Sequence, residues 1–284
     1  MTTPHRLSPR TVALAVILTF LHPAGSAQQV EVPTFLNPGA IILRADHTET
    51  PSAASLEWGR QVLKELEVQA LPPEAAAAKI AHYLHREFDF TPDRPDTVDA
   101  FVETKAGNCY AHARLGAMLL RLNGIPAKFA YEIHLERKTN SAARAARESG
   151  IALFGHYHND HFWVLFHDGK EWVPFDSALG ISGFDEFREA KYVSPAGGVS
   201  NPPFVIWEDQ GQGLTGMRNV TRTLWTRLGA PAIPHLSRST WDDLVAAFAD
   251  VEVDDLMAPI DPGLEEIIAR AGREFFSVAD PGQD

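Results

Sequence analysis

One cysteine occurs in the chain, Cys109, and its neighbours set what chemistry it could do. It follows Gly107-Asn108, and beyond it Ala111, Leu115, Met118, Leu119 and Leu122 recur at helical spacing. Asn123-Gly124 and Pro126 stop the run. The pattern predicts a core-facing helix with the thiol in its first turn. Free backbone N–H groups and the macrodipole favour a thiolate there, and the thiolate is the nucleophilic form. A free Cys is as often a small buried hydrophobe, so a nucleophile also needs a base and a group to orient it.

The stretch from His161 to Asp176, HFWVLFHDGKEWVPFD, offers both. Phe162, Val164 and Phe166 alternate with His161, Trp163, Leu165 and His167, the period of a half-buried strand. Asp168-Gly169 is a pair suited to a two-residue hairpin loop, and Lys170 to Asp176 returns as the second strand. With that loop, His161 faces Asp176 directly, Cβ atoms ~5 Å apart. A carboxylate so placed can hold an imidazole in one tautomer and stabilise its protonated form. Pro174 cannot donate to a ladder, which predicts an edge or bulged strand there.

Other elements must hold these pieces. Leu56, Val62, Leu63 and Leu66 fit an amphipathic helix that Ser55 could cap, broken by Pro72-Pro73. A second helix spans Glu74 to Phe88, residues 91–96 form a loop, and Val98 to Thr104 suit a short helical turn. Lys128 to Leu135 alternates as a strand with one buried face, and Arg137 to Gly150 is an exposed polar excursion. Past the hairpin, Phe184 to Val193 is mixed and Ser194 to Gly213 reads as a Pro/Gly-rich loop. Amphipathic segments follow at Leu214 to Leu228, Trp241 to Ala249 and Leu264 to Phe276.

Residues 1–27 have the layout of a secretory signal peptide: basic His5, Arg6 and Arg10, an apolar run from Val12 to Leu21, then Ala24-Gly25-Ser26-Ala27. The run is too short to span a bilayer. The product is therefore expected to be exported, secreted or periplasmic, with no stable membrane insertion. The formal net charge of −12 argues against nucleic acid and anionic membrane as partners. One cysteine allows no internal disulfide, so the core alone must hold the fold. The domains expected are the signal peptide 1–27, an extended lead-in 28–54, a catalytic domain 55–194, and a mostly helical C-terminal appendage or lid 195–284.

The segment KAGNCYAHARLGAMLLRLNGIPAK resembles the nucleophile helix of the transglutaminase-like superfamily, papain-like cysteine acyltransferases and amide hydrolases. The shared positions are Gly107, Cys109, Ala113, Leu115, Leu119-Leu120-Arg121 and Gly124-Ile125-Pro126-Ala127. His161 with Trp163 two residues on, and the run Trp172-Val173-Pro174-Phe175-Asp176, match the second half. The resemblance covers about 75–180. It implies an α+β fold with the nucleophile helix packed on an antiparallel sheet, Cys109 as nucleophile, His161 as general base and then acid, and Asp176 as orienter. It implies a thioester acyl-enzyme passed to water or an amine; no cofactor and no metal are expected. A peptide or protein is the expected substrate. The family often has an acid four residues after the histidine, where this chain has Leu165, and Asp-Pro-Thr where it has Asp176-Ser177-Ala178.

Two rival readings share these residues. His156, His158, Asp160 and His161 spell H-x-H-x-D-H, the signature of metallo-β-lactamase-like hydrolases, but after the hairpin only His235 remains as a further imidazole. A second rival is a secreted non-catalytic binding module that keeps the fold without the activity.

Overall fold

The computed structural model describes residues 51–91, 97–134, 160–193, 203–209, 217–229 and 236–248, with helical residues between 263 and 274. Helix α1 (Ala53–Glu65) is capped by Ser52, whose side chain accepts from Ser55 N at 3.2 Å. Ser55, the cap suggested by the sequence, lies buried one turn in and donates its hydroxyl to Asp99 at 2.6 Å. Helix α2 (Pro73–Glu87) opens on a proline, which forfeits only an N–H that a first turn leaves unpaired anyway. It buries Ala76, Ala77, Ile80, Ala81 and Leu84. Two short strands, β1 (Asp89–Phe90) and β2 (Ala106–Gly107), pair in parallel on either side of helix α3 (Val98–Thr104) in sequence.

Helix α4 (Cys109–Leu122) is the central packing element, with nine of its residues, from Ala111 to Leu120, buried. Asn108 fixes where it starts. Its side chain accepts from Ala111 N and its carbonyl from His112 N, both at 3.1 Å, so Cys109 becomes the first helical residue. The helix stops at Asn123 and Gly124, as its sequence signals require.

A six-stranded antiparallel sheet runs in the order β6-β5-β4-β3-β7-β8. Its strands are β3 (Ala127–His134), β4 (Asp160–His167), β5 (Trp172–Asp176), β6 (Ile181–Ser182), β7 (Pro203–Asp209) and β8 (Met217–Asn219). α4 packs across β3, β4 and β5. Tyr110 stacks on Phe162, and Phe162 on Phe129, with centroids 4.6 and 5.1 Å apart. Gly116 allows the helix to come this close: a Cβ there would sit 2.6 Å from Phe175 Cε1.

Two expectations change at the sheet. β4 is buried on both faces, since Phe162 to Phe166 are all at most 2% exposed. The second cover is helix α5 (Phe184–Arg188) and the π-helical turn after it, Glu189–Val193; Phe187 lies 4.7 Å from Trp163. The segment past 195 is also more than a helical appendage. Helices α6 (Thr221–Leu228) and α7 (Arg238–Phe248) are present, joined by Trp225 against Trp241 at 4.7 Å. The stretch read as a loop nevertheless supplies β7, which pairs with β3, and β8 pairs with β7. The outer edge of β3 needs partners for its backbone groups, and this short apolar run provides them.

Candidate active site

Cys109 is the first residue of α4 and half-buried. His161 is the second residue of β4 and Asp176 the last of β5, both almost fully buried. Gly107, two residues before the thiol, is needed for packing. A Cβ there would lie 2.6 Å from the Phe101 ring and 2.7 Å from Ala111 Cβ.

The hairpin register differs from the expected one. Val164 pairs with Phe175, Leu165 with Pro174, Phe166 with Val173 and His167 with Trp172, which leaves 168–171 as the loop. Asp168 sets this longer loop: its carboxylate accepts from Lys170 N at 2.6 Å and Glu171 N at 2.8 Å. Continued outward, the register places Asp176 opposite Trp163 and not opposite His161. The displacement is an even number of residues, so His161 and Asp176 still share a face as diagonal neighbours. Their side chains bridge the gap, and His161 Nε2 meets Asp176 Oδ2 at 2.7 Å. Nor is β5 an edge strand, because β6 pairs with it at Phe175 and Asp176. Pro174 lies just outside that pairing.

The Cys109 thiol, in the first turn of α4, also interacts with the His161 ring and favours its protonated form. Burial disfavours the imidazolium, but the Asp176 carboxylate more than reverses this and pushes the pKa up to about 10. Burial likewise opposes the Asp176 charge, while His161 and Lys191 hold its carboxyl far below the usual carboxylate range. The arrangement is a thiol beside an imidazolium that a buried carboxylate orients, which can deliver a nucleophile and then a proton.

Sequence reasoning missed two members of this cluster. Lys191, in the π-helical turn, is fully buried, with Nζ 3.0 Å from Asp176 Oδ2 and 2.7 Å from Glu132 Oε1. Glu132 lies directly across from His161 on β3 and is fully buried as well. Its place on the polar side of an alternating strand marked it as solvent-facing, and no spacing ties Lys191 to the hairpin. His112, one turn after Cys109, is 1% exposed, with its ring 4.7 Å from Phe101. Burial pushes its pKa down to about 4, so the ring is neutral near pH 7.

Of the residues in the rival metal signature, His161 has its Nε2 taken up by Asp176. His156 and His158 lie outside the described residues, and Asp160 is described only as backbone in β4. Among the described residues no group of three or more His, Cys, Asp and Glu side chains could hold a metal ion. A groove of about 390 Å³ bounded by Asp168, Glu171, Phe184 and Arg227 contains none of the three sequence-derived site residues.

The family described as the transglutaminase-like superfamily matches residues 60–177. The chain carries a transglutaminase-like superfamily domain. This superfamily consists mostly of cysteine-dependent enzymes. Among solved structures, the chain is similar to a proposed cysteine protease from Cytophaga hutchinsonii, at 18% identity over 46% of this chain and 41% of that one, with a TM-score of 0.31. It is also similar to the periplasmic domain of TgpA from Pseudomonas aeruginosa bound to ethylmercury, at 22% identity over 46% and 47% of the two chains, with a TM-score of 0.34. The chain thus spans less than half the length of either. No curated protein matches it. The transglutaminase-like match contains Cys109, His161, Asp176 and Glu132, and ends before Lys191.

Proposed function

We propose that this protein is an exported thiol-dependent acyl-transfer enzyme that acts on carboxamide or peptide carbonyls. The observation that carries the reading is the buried His161 ring bonded to buried Asp176 at 2.7 Å, with the Cys109 thiol on the first turn of α4 acting on the same ring. Cys109 attacks the carbonyl carbon and the C=O π electrons move onto oxygen. The Cys109 backbone N–H, in a first turn where the helix itself supplies no carbonyl partner, can serve that oxyanion. Collapse breaks the C–N bond, His161 gives its proton to the departing amine, and a thioester on Cys109 remains. His161 then takes a proton from the acyl acceptor as it attacks the thioester, and collapse breaks the C–S bond, releasing the acyl product and returning the Cys109 thiolate beside the protonated ring. Water is the favoured acceptor, which makes the reaction a hydrolysis. A peptide or protein substrate outside the cytoplasm fits the signal-peptide pattern of residues 1–27.

The test incubates the protein with glutamine- and asparagine-containing peptides and with casein. Ammonia or peptide release and dansylcadaverine incorporation are followed, with acid-quenched mass spectrometry of Cys109. An acyl adduct on Cys109, turnover abolished by iodoacetamide and turnover unchanged by a strong chelator are expected. A native thiol unreactive to iodoacetamide up to pH 9, with no adduct from any probe, overturns the reading.

A further inference from the structure

The thiol, imidazole and carboxylate do not account for the buried charge at this site. Lys191 brings an ammonium to the same Asp176 oxygen, Oδ2, that receives His161 Nε2, at 3.0 Å against 2.7 Å. Glu132 holds the ammonium from the other side at 2.7 Å, and both side chains are 0% exposed. Two features argue that this is more than packing. A buried ion pair is a poor source of stability, since apolar replacements often do as well or better. Lys191 also sits in a π-helical turn, Glu189–Val193, a rare geometry that recurs at functional sites. It lies beyond the span 60–177 that matches the superfamily.

We propose that Lys191, anchored by Glu132, is a positioning residue that fixes the Asp176 carboxylate against His161 and sets the pH at which His161 loses its proton. It accepts Asp176 and His161 as the catalytic pair of the proposed function and extends that reading. The groups facing the ring are Asp176 on β5, Cys109 and, on the same helix, His112, Lys191 on the π-helical turn, and Glu132 on β3. Asp176 on its own would stabilise the imidazolium strongly, and an imidazolium that never releases its proton cannot serve as a base toward the acyl acceptor. The Lys191 ammonium shares the same carboxylate oxygen and opposes the imidazolium charge. Glu132 keeps the ammonium in place and offsets its burial.

The experiment titrates the His161 ring in the full chain by long-range ¹H–¹⁵N NMR between pH 5 and 11, assigned by the peak lost in His161→Gln. Lys191→Met keeps the length of the stem and removes the charge. The His161 titration should rise by ~1 pH unit or more, or leave the window upward, as removal of a like charge a few ångströms away requires. Lys191→Arg, which keeps the charge, should stay within a few tenths of the unsubstituted protein. A merely loosened site would instead move His161 down toward 6.5. Should Lys191→Met fail to fold because buried Glu132 loses its ammonium, Glu132→Gln/Lys191→Met removes both charges and should shift the titration upward too. A His161 titration that stays put or falls in a folded variant lacking the lysine overturns the proposal. Turnover does not enter this readout: an inactive protein whose His161 titration moves as stated refutes the proposed function alone.

Discussion

Replacing Asp176 with Asn isolates the electrostatic part of the site. The amide keeps the shape of the carboxylate but has no charge to set against His161 or Lys191. At a pKa of about 10 the ring is imidazolium at pH 7, a preference worth ~5 kcal/mol over a free imidazole at 1.36 kcal/mol per pH unit. In the Asn variant burial acts unopposed, the ring becomes largely neutral, and the amide can hold it in the wrong tautomer. Turnover should therefore fall by roughly 10²–10⁴-fold, as it does when other triads lose this charge. Stability should drop by about 3 kcal/mol, the low end for breaking a buried pair, because Lys191 retains Glu132 and His161 can shed its proton. For a domain of this size that is a melting point lower by ~6–12 °C. The assay pairs a thermal melt with release from a peptide carboxamide at pH 7 and the iodoacetamide rate at Cys109. A folded Asp176→Asn protein within threefold of normal turnover would refute the assignment of Asp176 as orienter.

Two further outcomes follow from the same geometry. His161, raised from 6.5 to about 10, contributes stability that is full below pH 6.5 and is lost as pH rises through 10; Asp176, lowered from 3.8, contributes stability that is lost as pH falls below that value. The melting temperature should thus be highest between pH 4 and 6.5, and a His161→Gln protein with the same alkaline decline would refute the link. Gly116→Ala would gain about 1 kcal/mol on an exposed helix, but here its Cβ meets Phe175 Cε1 at 2.6 Å, so a net loss of ~1–2 kcal/mol is expected from overpacking. An increased melting temperature would show that α4 does not press on β5 as described.

Local signals in the sequence determine the pieces of this protein. The apolar spacing after Cys109, with Asn123-Gly124 as its stop, fixes a helix that begins on the thiol, because capping and periodicity act within a few residues. The aromatic alternation from His161 fixes a strand and its faces. Tertiary structure decides how the pieces meet. The hairpin loop is four residues long because the Asp168 side chain binds two backbone N–H groups, a preference that Asp-Gly by itself does not specify. His161 and Asp176 still come together, since an even displacement preserves the face. Strand β7 hid among prolines and glycines, and it becomes a strand because the edge of β3 offers it hydrogen bonds. Glu132 and Lys191 are 59 residues apart in the chain. No local pattern joins them; they become one ion pair only when the π-helical turn closes over the face of the sheet that holds Asp176, where burial makes each charge depend on the other.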